Sequence, residues 1–305
     1  MRISTGQIWN SALSNLMRAQ YSQNDANNQV SSQKIADDLG GYGRSSEVIA
    51  AYQSSLAKVN GYTDVSKTVS DRLESQNVAL ERAGEGIATA KDSIMDAIAS
   101  KSLNGLMTTL QSSYMAFADG MNYKHQGTYL FGGGNENQSP LSASSLSGLT
   151  DPPADSTFVN GTVKKVSKID GTTTLETGML ANDIGGAAVS VFAKIKTFLD
   201  ANGSYTDNMT DEQMTELQDL ANQLSDVYTG MVDRTALNGT MQNRVDNTLT
   251  SLESQSNSLT TLLADKTEVN MAEAYTRLEQ ADLAVQASAQ VVANLRSTSL
   301  LDLLQ

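Results

Sequence analysis

Few residues of this chain could carry out chemistry. His125 is the only histidine and cysteine is absent, so a zinc site or a histidine-based catalytic site lacks its usual residues. Asp37 and Asp38 form an adjacent acidic pair, but adjacent residues do not share a helix face. We interpret that pair as part of a hydrogen-bonding turn, and His125 as an ordinary surface or packing residue. The sequence predicts no catalytic, metal-binding or cofactor-binding residue, and therefore no enzyme.

A run of three glycines at 132–134 is the other pattern that could bind a ligand. A phosphate-binding loop would continue with Lys and then Ser or Thr, and a dinucleotide site would require a strand–turn–helix context. The run has neither feature. We interpret it as a flexible linker.

The composition is acidic and lean in large side chains. The formal net charge is −13, and 39% of the residues are hydrophobic but only 5% aromatic. An acidic chain without clustered Lys and Arg is a poor candidate for binding nucleic acid or an anionic membrane. No segment resembles a cleavable signal peptide or a membrane span. If the protein leaves the cell, we expect a route that does not read a cleaved signal.

The elements that must position any function are long helices. All three prolines, at 140, 152 and 153, fall in one central stretch, and the flanks repeat apolar residues at three- and four-residue spacing. Thr210 and Gln213 form a capping-box pattern before the longest repeat. The spacing predicts helices over about 5–38, 45–99, 103–124, 187–200, 210–265 and 270–298. The clearest predicted core positions are Val59, Tyr62, Ser66, Val69, Leu73, Gln76, Leu80, Ala83, Ile87, Ala90, Ile94 and Ala97.

The middle of the chain changes character at about residue 132. Asn160-Gly161 predicts one hairpin, because both residue types tolerate the positive φ of a tight turn. Residues 168–172 predict a second hairpin around Asp170-Gly171. We expect a small β-rich excursion between the two helical halves.

The predicted fold is therefore mainly α. It is an elongated antiparallel helical bundle or coiled coil, formed by the amino- and carboxyl-terminal segments, with a small central β-rich domain. The predicted domains are an inner terminal coiled-coil layer (1–40 and 268–305), a helical bundle rod (41–131 and 186–267) and a β-rich surface domain (132–185). The apolar repeat is thin in the two terminal helices, so we expect them to pack against other molecules.

Three motifs resemble the flagellin superfamily of bacterial axial proteins, and within it the hook-associated protein 3 (FlgL) family of hook–filament junction proteins. Residues 29–38 are similar to the amino-terminal flagellin signature, with Gln33 where glycine is usual. The stretch Gly127-Thr128-Tyr129-Leu130-Phe131-Gly132-Gly133 is similar to the junction family's Gly-x-Tyr-Leu-Phe-x-Gly motif. The carboxyl-terminal similarity covers 270–278, 283–288 and 297–304.

The resemblance implies a structural subunit that forms a ring joining hook to filament. Its partners would be the neighbouring hook-associated junction protein, flagellin and a cytosolic export chaperone for the carboxyl-terminal helix. Export would use the flagellar type III secretion system, which places the protein outside the cell on the flagellum. The predicted assembly interface consists of Trp9, Leu13, Leu16, Leu278, Val285, Val292, Leu295, Leu300, Leu301, Leu303 and Leu304.

Three other functions remain open at this point. A minor or divergent flagellin would build the filament itself, and the tyrosine–leucine–phenylalanine motif weighs against it. An adhesin or binding module would have to place its site in 132–185, where Phe158 is the only aromatic residue. A murein-cleaving enzyme would require an acidic residue in a cleft, and no such constellation stands out.

Overall fold

The computed structural model describes residues 2–203 and 208–301, with side chains described for 6–203 and 208–295. These residues form two compact units. Unit 1 comprises residues 1–59 and 254–305, and unit 2 comprises 60–253. None of the described helices is long and apolar enough to cross a membrane.

The predicted mainly α fold is confirmed. Among the described residues six α-helices account for most of the chain, and the strands are short. The helices are α1 (Arg2–Ser32), α2 (Ser46–Ser100), α3 (Leu106–Met121), α4 (Ala181–Asn202), α5 (Asp211–Thr267) and α6 (Met271–Leu301). The strands are β1 (Lys124–His125), β2 (Thr128–Tyr129), β3 (Val166–Lys168) and β4 (Thr174–Glu176), and short 3-10 helices lie at Leu39–Ser45, Leu146–Gly148 and Asp155–Thr157.

The apolar repeat of α2 supplies the centre of unit 2. Every core position predicted for this helix is buried except Tyr62, which is half-buried. Helix α3 packs antiparallel on α2 through two glycines. A Cβ atom on Gly86 would lie 2.6 Å from the carbonyl oxygen of Ser113, and one on Gly120 would lie 2.6 Å from that of Ala79. The two backbones therefore approach too closely for any larger residue.

An aromatic cluster joins α3 to α4. The rings of Tyr114 and Phe192 meet edge to face with centroids 5.2 Å apart, and Phe117 lies 5.9 Å from Phe192. The Tyr114 hydroxyl donates to the carbonyl of Ala143 at 2.8 Å, and burial raises the pKa of Tyr114. All three aromatic residues are fully buried, so unit 2 has a core of large side chains.

Helix α5 begins at the predicted capping box. Gln213 N–H donates to Thr210 Oγ1 at 3.2 Å, and Thr210 N–H donates to Gln213 Oε1 at 2.9 Å. The three- and four-residue spacing predicted over 210–265 includes Arg234, Gln255 and Leu262. These three residues are exposed, so the repeat does not describe a continuous core. Asn238 is a buried polar member of the repeat, and its amide donates to the carbonyl of Leu73 at 2.8 Å.

The middle segment contains one of the two predicted hairpins. Strands β3 and β4 pair antiparallel, with Lys168 opposite Thr174, which confirms the hairpin around Asp170. The hairpin predicted at Asn160-Gly161 is wrong, because this stretch bonds to distant backbone instead. Phe158 forms a bridge with Leu141, and Gly161 N–H donates to the carbonyl of Gly132 at 2.9 Å.

The glycine run 132–134 is a packed turn and not an open linker. Asn135 N–H donates to the carbonyl of Gly132 at 3.0 Å. Gly133 has φ +60°, and a Cβ atom there would lie 2.7 Å from the carbonyl oxygen of Gly161. The positive φ and the close backbone approach both require glycine.

Three side chains of α2 hold the middle segment by its backbone. Gln76 Nε2 donates to the carbonyl of Thr177 at 3.0 Å, Ser66 Oγ to that of Ile169 at 3.1 Å, and Arg72 Nη2 to that of Leu130 at 2.9 Å. Burial lowers the pKa of Arg72, and Glu136 at 3.8 Å partly opposes the shift. These bonds, together with the packing of Ile169 on Val69 and Leu73, position the segment within unit 2.

The acidic pair lies in the predicted turn. Asp38 caps the 3-10 helix Leu39–Ser45, and its Oδ1 accepts from Gly41 N–H at 2.9 Å. The turn interpretation is thus confirmed for Asp38. The three-part domain division remains a prediction, since the two compact units describe a different property, namely the clustering of backbone contacts.

Candidate assembly surface

Helices α1 and α6 pair along their length in unit 1, and the apolar residues that are buried in their contact are alanines. On α1 the buried alanines recur every seven residues, at positions 12, 19 and 26, and on α6 positions 274 and 281 repeat the interval. A seven-residue interval returns to the same helix face, so these methyl groups form one stripe on each helix. Alanine buries little apolar area, so the pair gains little stability from its own contact.

Polar bonds set the antiparallel register of the pair. Gln23 Nε2 donates to Asp282 Oδ1 at 2.6 Å, and Arg277 Nη1 donates to Gln29 Oε1 at 3.3 Å. Beyond the helix ends the chains meet again, where Ile35 N–H donates to the carbonyl of Thr267 at 2.8 Å. The register therefore places the beginning of α1 beside the end of α6.

Each of these adjoining ends contains a long stretch without charged residues. Residues 3–17 and 283–295 contain no Asp, Glu, Lys or Arg. Ile8, Ala12, Val291 and Leu295 line a shallow groove of about 560 Å³ between them. An exposed helix face in water is normally rich in charged residues, so an uncharged pair of helix ends indicates a surface that another molecule covers.

Large apolar side chains of α1 lie outside the alanine stripe. Trp9 and Leu13, both predicted interface residues, are 37% and 43% exposed. Met17 and Tyr21 continue the row at four-residue spacing and are 49% and 73% exposed, and Ile8 beside them is 55% exposed. Sequence analysis missed Ile8, Met17 and Tyr21 because the weak repeat does not show which face α6 covers. We call the row of Ile8, Trp9, Leu13, Met17 and Tyr21 the α1 apolar row.

The remaining predicted interface residues fall into two groups. The first group is half-buried and lies on the same helix faces as the buried alanines. It consists of Leu16 on α1 and of Leu278, Val285, Val292 and Leu295 on α6. These residues belong to the seam between α1 and α6. The most exposed large apolar residues of α6 are Tyr275, Leu283 and Val291, which the sequence did not predict as interface residues. The side chains of Leu300 and Leu301 lie outside the described part of the chain, as do residues Leu303 and Leu304 entirely.

The described residues offer little to a metal ion. No group of three or more His, Asp or Glu residues in this part of the chain is placed to bind one. His125 is half-buried, and its Nδ1 lies 2.8 Å from Ser75 Oγ, which agrees with the packing role predicted for it. The feature that calls for a function is thus the exposed α1 apolar row beside the uncharged stretches 3–17 and 283–295.

The chain is similar to flagellar proteins in the sequence of its carboxyl-terminal part and in its fold. Residues 208–304 match the model of the bacterial flagellin C-terminal helical region. A search of curated proteins found no match. A solved structure of a flagellar hook-associated protein from Vibrio parahaemolyticus aligns with a TM-score of 0.62 and 16% identity, covering 76% of this chain and 99% of that chain.

Two FlgL crystal structures show the same likeness. FlgL of Bacillus cereus aligns with a TM-score of 0.57 and 17% identity, over 68% of this chain and 96% of that chain. FlgL of Xanthomonas campestris aligns with a TM-score of 0.56 and 14% identity, over 70% of this chain and 99% of that chain. The chain described here thus has the fold of these flagellar hook-associated structures, and its residues 208–304 match the flagellin C-terminal helical region.

Proposed function

We propose that this protein is a structural subunit of the bacterial flagellum that joins the hook to the filament. It has no catalytic role in this proposal. The observation that carries it lies at the adjoining ends of α1 and α6, where residues 3–17 and 283–295 carry no charge beside the exposed α1 apolar row. Such a pair has its main apolar area available for other subunits, and the flagellar fold supplies the setting in which subunits pack side by side.

The proposed arrangement is a ring of copies between two kinds of neighbour. The α1 apolar row, with the α6 residues Leu283 and Val291, packs against the terminal helices of adjacent copies. Leu300, Leu301, Leu303 and Leu304 remain members of the interface predicted from sequence. The neighbouring hook-associated junction protein lies on one side of the ring and flagellin on the other.

Export through the flagellar type III secretion system completes the proposal and places the protein outside the cell. A helix pair with an alanine seam has little stability of its own, which suits a chain that crosses a narrow channel and folds on binding. A cytosolic chaperone that holds the carboxyl-terminal helix would cover the apolar residues of α6 before export.

The α1 apolar row provides the direct test. The double variant Leu13→Asp/Met17→Asp places two charges on exposed positions, so we expect it to fold normally by circular dichroism yet to be missing from isolated flagella. The control, Asn24→Asp/Asn27→Asp, adds the same charges to exposed positions of α1 outside the uncharged stretch, and should be incorporated. Normal incorporation of the first variant would rule out the row as an assembly surface.

A second candidate is a minor or divergent flagellin, which the match to the flagellin C-terminal region favours. Immunogold labelling of intact flagella with antibody against residues 135–185 separates the two. Gold confined to the zone where hook meets filament supports the junction subunit. Gold along the whole filament supports the flagellin.

A further inference from the structure

Unit 2 has an open groove that its own packing does not require. It lies between α2 and α5 and has a volume of about 650 Å³. Its floor is formed by small side chains and by Met231, and its wall by Tyr228 and Val232, which are 38% and 47% exposed. The principal lining residues are Gly84, Ala88, Tyr228, Met231, Val232 and Ala236.

Two neighbouring glycines of α2 show that the opening is not needed for internal packing. Gly86 is fixed by the close backbone of α3, as described above. A Cβ atom on Gly84 would instead meet only the side chains of Met231, at 3.4 Å, and Tyr228, at 3.7 Å. These are ordinary contact distances, so the fold would accept a Cβ atom at Gly84, on the inner side of the groove.

One edge of the groove is acidic. Glu81 and Glu85 are exposed members of its lining, four residues apart on α2. Like charges at this spacing repel one another in a helix. Neither carboxylate forms a salt bridge with any residue that the structure describes. The groove therefore suits an occupant that presents apolar side chains together with a cation.

The chain itself contains a segment with that chemistry. Residues 163–168 read Val-Lys-Lys-Val-Ser-Lys, with three lysines and no acidic residue in a chain of net charge −13. Val163 and Val166 are 68% and 55% exposed, more than any other large hydrophobic side chain described in unit 2. The first two lysines pair with carboxylates of their own copy, whereas Lys168 makes no salt bridge within the described part of the chain. We call residues 163–168 the basic segment.

The basic segment of a given copy is held away from the groove of that copy. It leads directly into Ile169, which packs on Val69 and Leu73 of α2. Gly84 is eleven residues further along the same helix than Leu73, a distance of about 16 Å at 1.5 Å per residue. A basic segment that enters this groove must therefore belong to a second copy of the chain.

We propose that the groove between α2 and α5 binds the basic segment of a neighbouring copy of this chain. The valines would enter beside Tyr228 and Val232, and Lys168 would approach the carboxylate of Glu85. Because groove and segment are different surfaces, the contact is heterologous and builds rings or helices of copies rather than closed dimers. It is separate from the α1 apolar row, so its test does not depend on the flagellar role.

Cross-linking with introduced cysteines tests the proposal, since the natural chain has none. Ala236→Cys lies in the groove and Val166→Cys in the basic segment, and both positions are exposed. We expect an equal mixture of the two full-length variants, treated with a short bis-maleimide at low salt, to give a mixed dimer. Val78→Cys, an exposed valine on α2 that is 45% exposed, is the matched control and should give several-fold less.

A charge exchange identifies the pairing. With the cysteines in place, Glu85→Lys or Lys168→Glu alone should lower the cross-linked yield several-fold, and a mixture that carries both changes on opposite copies should restore it. Lys67→Glu, which alters an exposed lysine elsewhere on α2, should have no effect. Gly84→Leu fills the groove and should abolish cross-linking, whereas Gly230→Leu on the exposed face of α5 should not.

Other results would overturn the proposal. One is a yield from Val166→Cys no higher than that from Val78→Cys. Another is a dominant dimer of Ala236→Cys with itself, which would mean that groove meets groove. A third is preferential capture of the groove thiol by Met17→Cys, which would assign the groove to the α1 apolar row.

Discussion

Unit 2 buries aromatic rings and long aliphatic side chains, whereas the α1–α6 pair of unit 1 buries alanine and leaves tryptophan, leucine and methionine exposed. A fully buried Phe or Leu contributes about 1.5–3 kcal/mol of transfer free energy, and an alanine methyl group contributes much less. Both regions are helical, although the apolar repeat is clear in α2 and thin in the two terminal helices. The difference shows that two helices can pair without forming a core of large side chains. Unit 2 forms such a core from the residues of one copy, and the α1–α6 pair does not.

In the two regions the large apolar side chains therefore contribute to different interactions. In unit 2 the large side chains stabilise the folded chain itself. In the α1–α6 pair they remain available to a second molecule. Changing the size of a buried side chain should therefore have different effects in the two units.

The largest effect is expected at the aromatic cluster of unit 2. Phe192→Ala removes a fully buried ring that contacts Tyr114 and Phe117, and should lower the free energy of unfolding by about 3–5 kcal/mol. Urea unfolding followed by circular dichroism measures the loss. Met115→Ala, at a half-exposed position of α3, is the control and should cost much less. Equal losses from the two would mean that the cluster is not the core of unit 2.

A smaller effect is expected when the alanine seam is overfilled. Ala19→Leu places a branched side chain where α1 and α6 are in contact, and should weaken their pairing by about 1–3 kcal/mol. Hydrogen exchange should become faster in α1 and α6 while α3 and α4 remain protected. Asn24→Leu, on an exposed position of α1, should leave exchange unchanged. Slower exchange in the Ala19 variant would mean that the seam has room for large residues.

The smallest effect concerns the hairpin of β3 and β4. Hydrogen bonds from Thr172 and Thr173 lower the pKa of Asp170 to about 2, the backbone bond from Thr172 being the largest cause. A lowered folded-state pKa means that the carboxylate stabilises the turn above its ordinary pKa, and that this contribution is lost as the pH falls from about 4 to about 2. Amide NMR signals of Thr172 and Thr173 should shift over that range, and in Asp170→Ala they should not. A midpoint near 4 in the natural chain would contradict the bonded turn.

Sequence periodicity predicted the core of unit 2 well, and the reason is physical. Leu73, Leu80 and Ile87 recur at an interval that returns to one face of α2, and a face covered by other helices leaves a strong pattern. The capping box at Thr210 was predictable for a similar reason, because its bonds join residues three apart. Arg234 fits the same spacing yet is exposed, since spacing alone cannot show where a partner helix stops covering the face.

The errors in the middle segment have a different origin. Asn160-Gly161 has the preferences of a tight turn, but Gly161 N–H donates to the carbonyl of Gly132, and the flanking Phe158 pairs with Leu141. These contacts join residues far apart in sequence, and no local preference encodes them. The α1 apolar row was missed in part for a related reason. Which side of a thin repeat faces inward depends on α6, which lies more than 230 residues further along the chain.

The three bonds from α2 to the middle segment have a consequence for sequence change. Gln76, Ser66 and Arg72 bind carbonyl oxygens, and every residue type carries that oxygen. Replacing the side chains at 130, 169 or 177 would therefore leave each of these hydrogen-bond acceptors in place. These three bonds of α2 therefore tolerate sequence change in the segment, and foreign peptides could be grafted between the attachment points without removing them, provided that the buried side chain of Ile169 is kept.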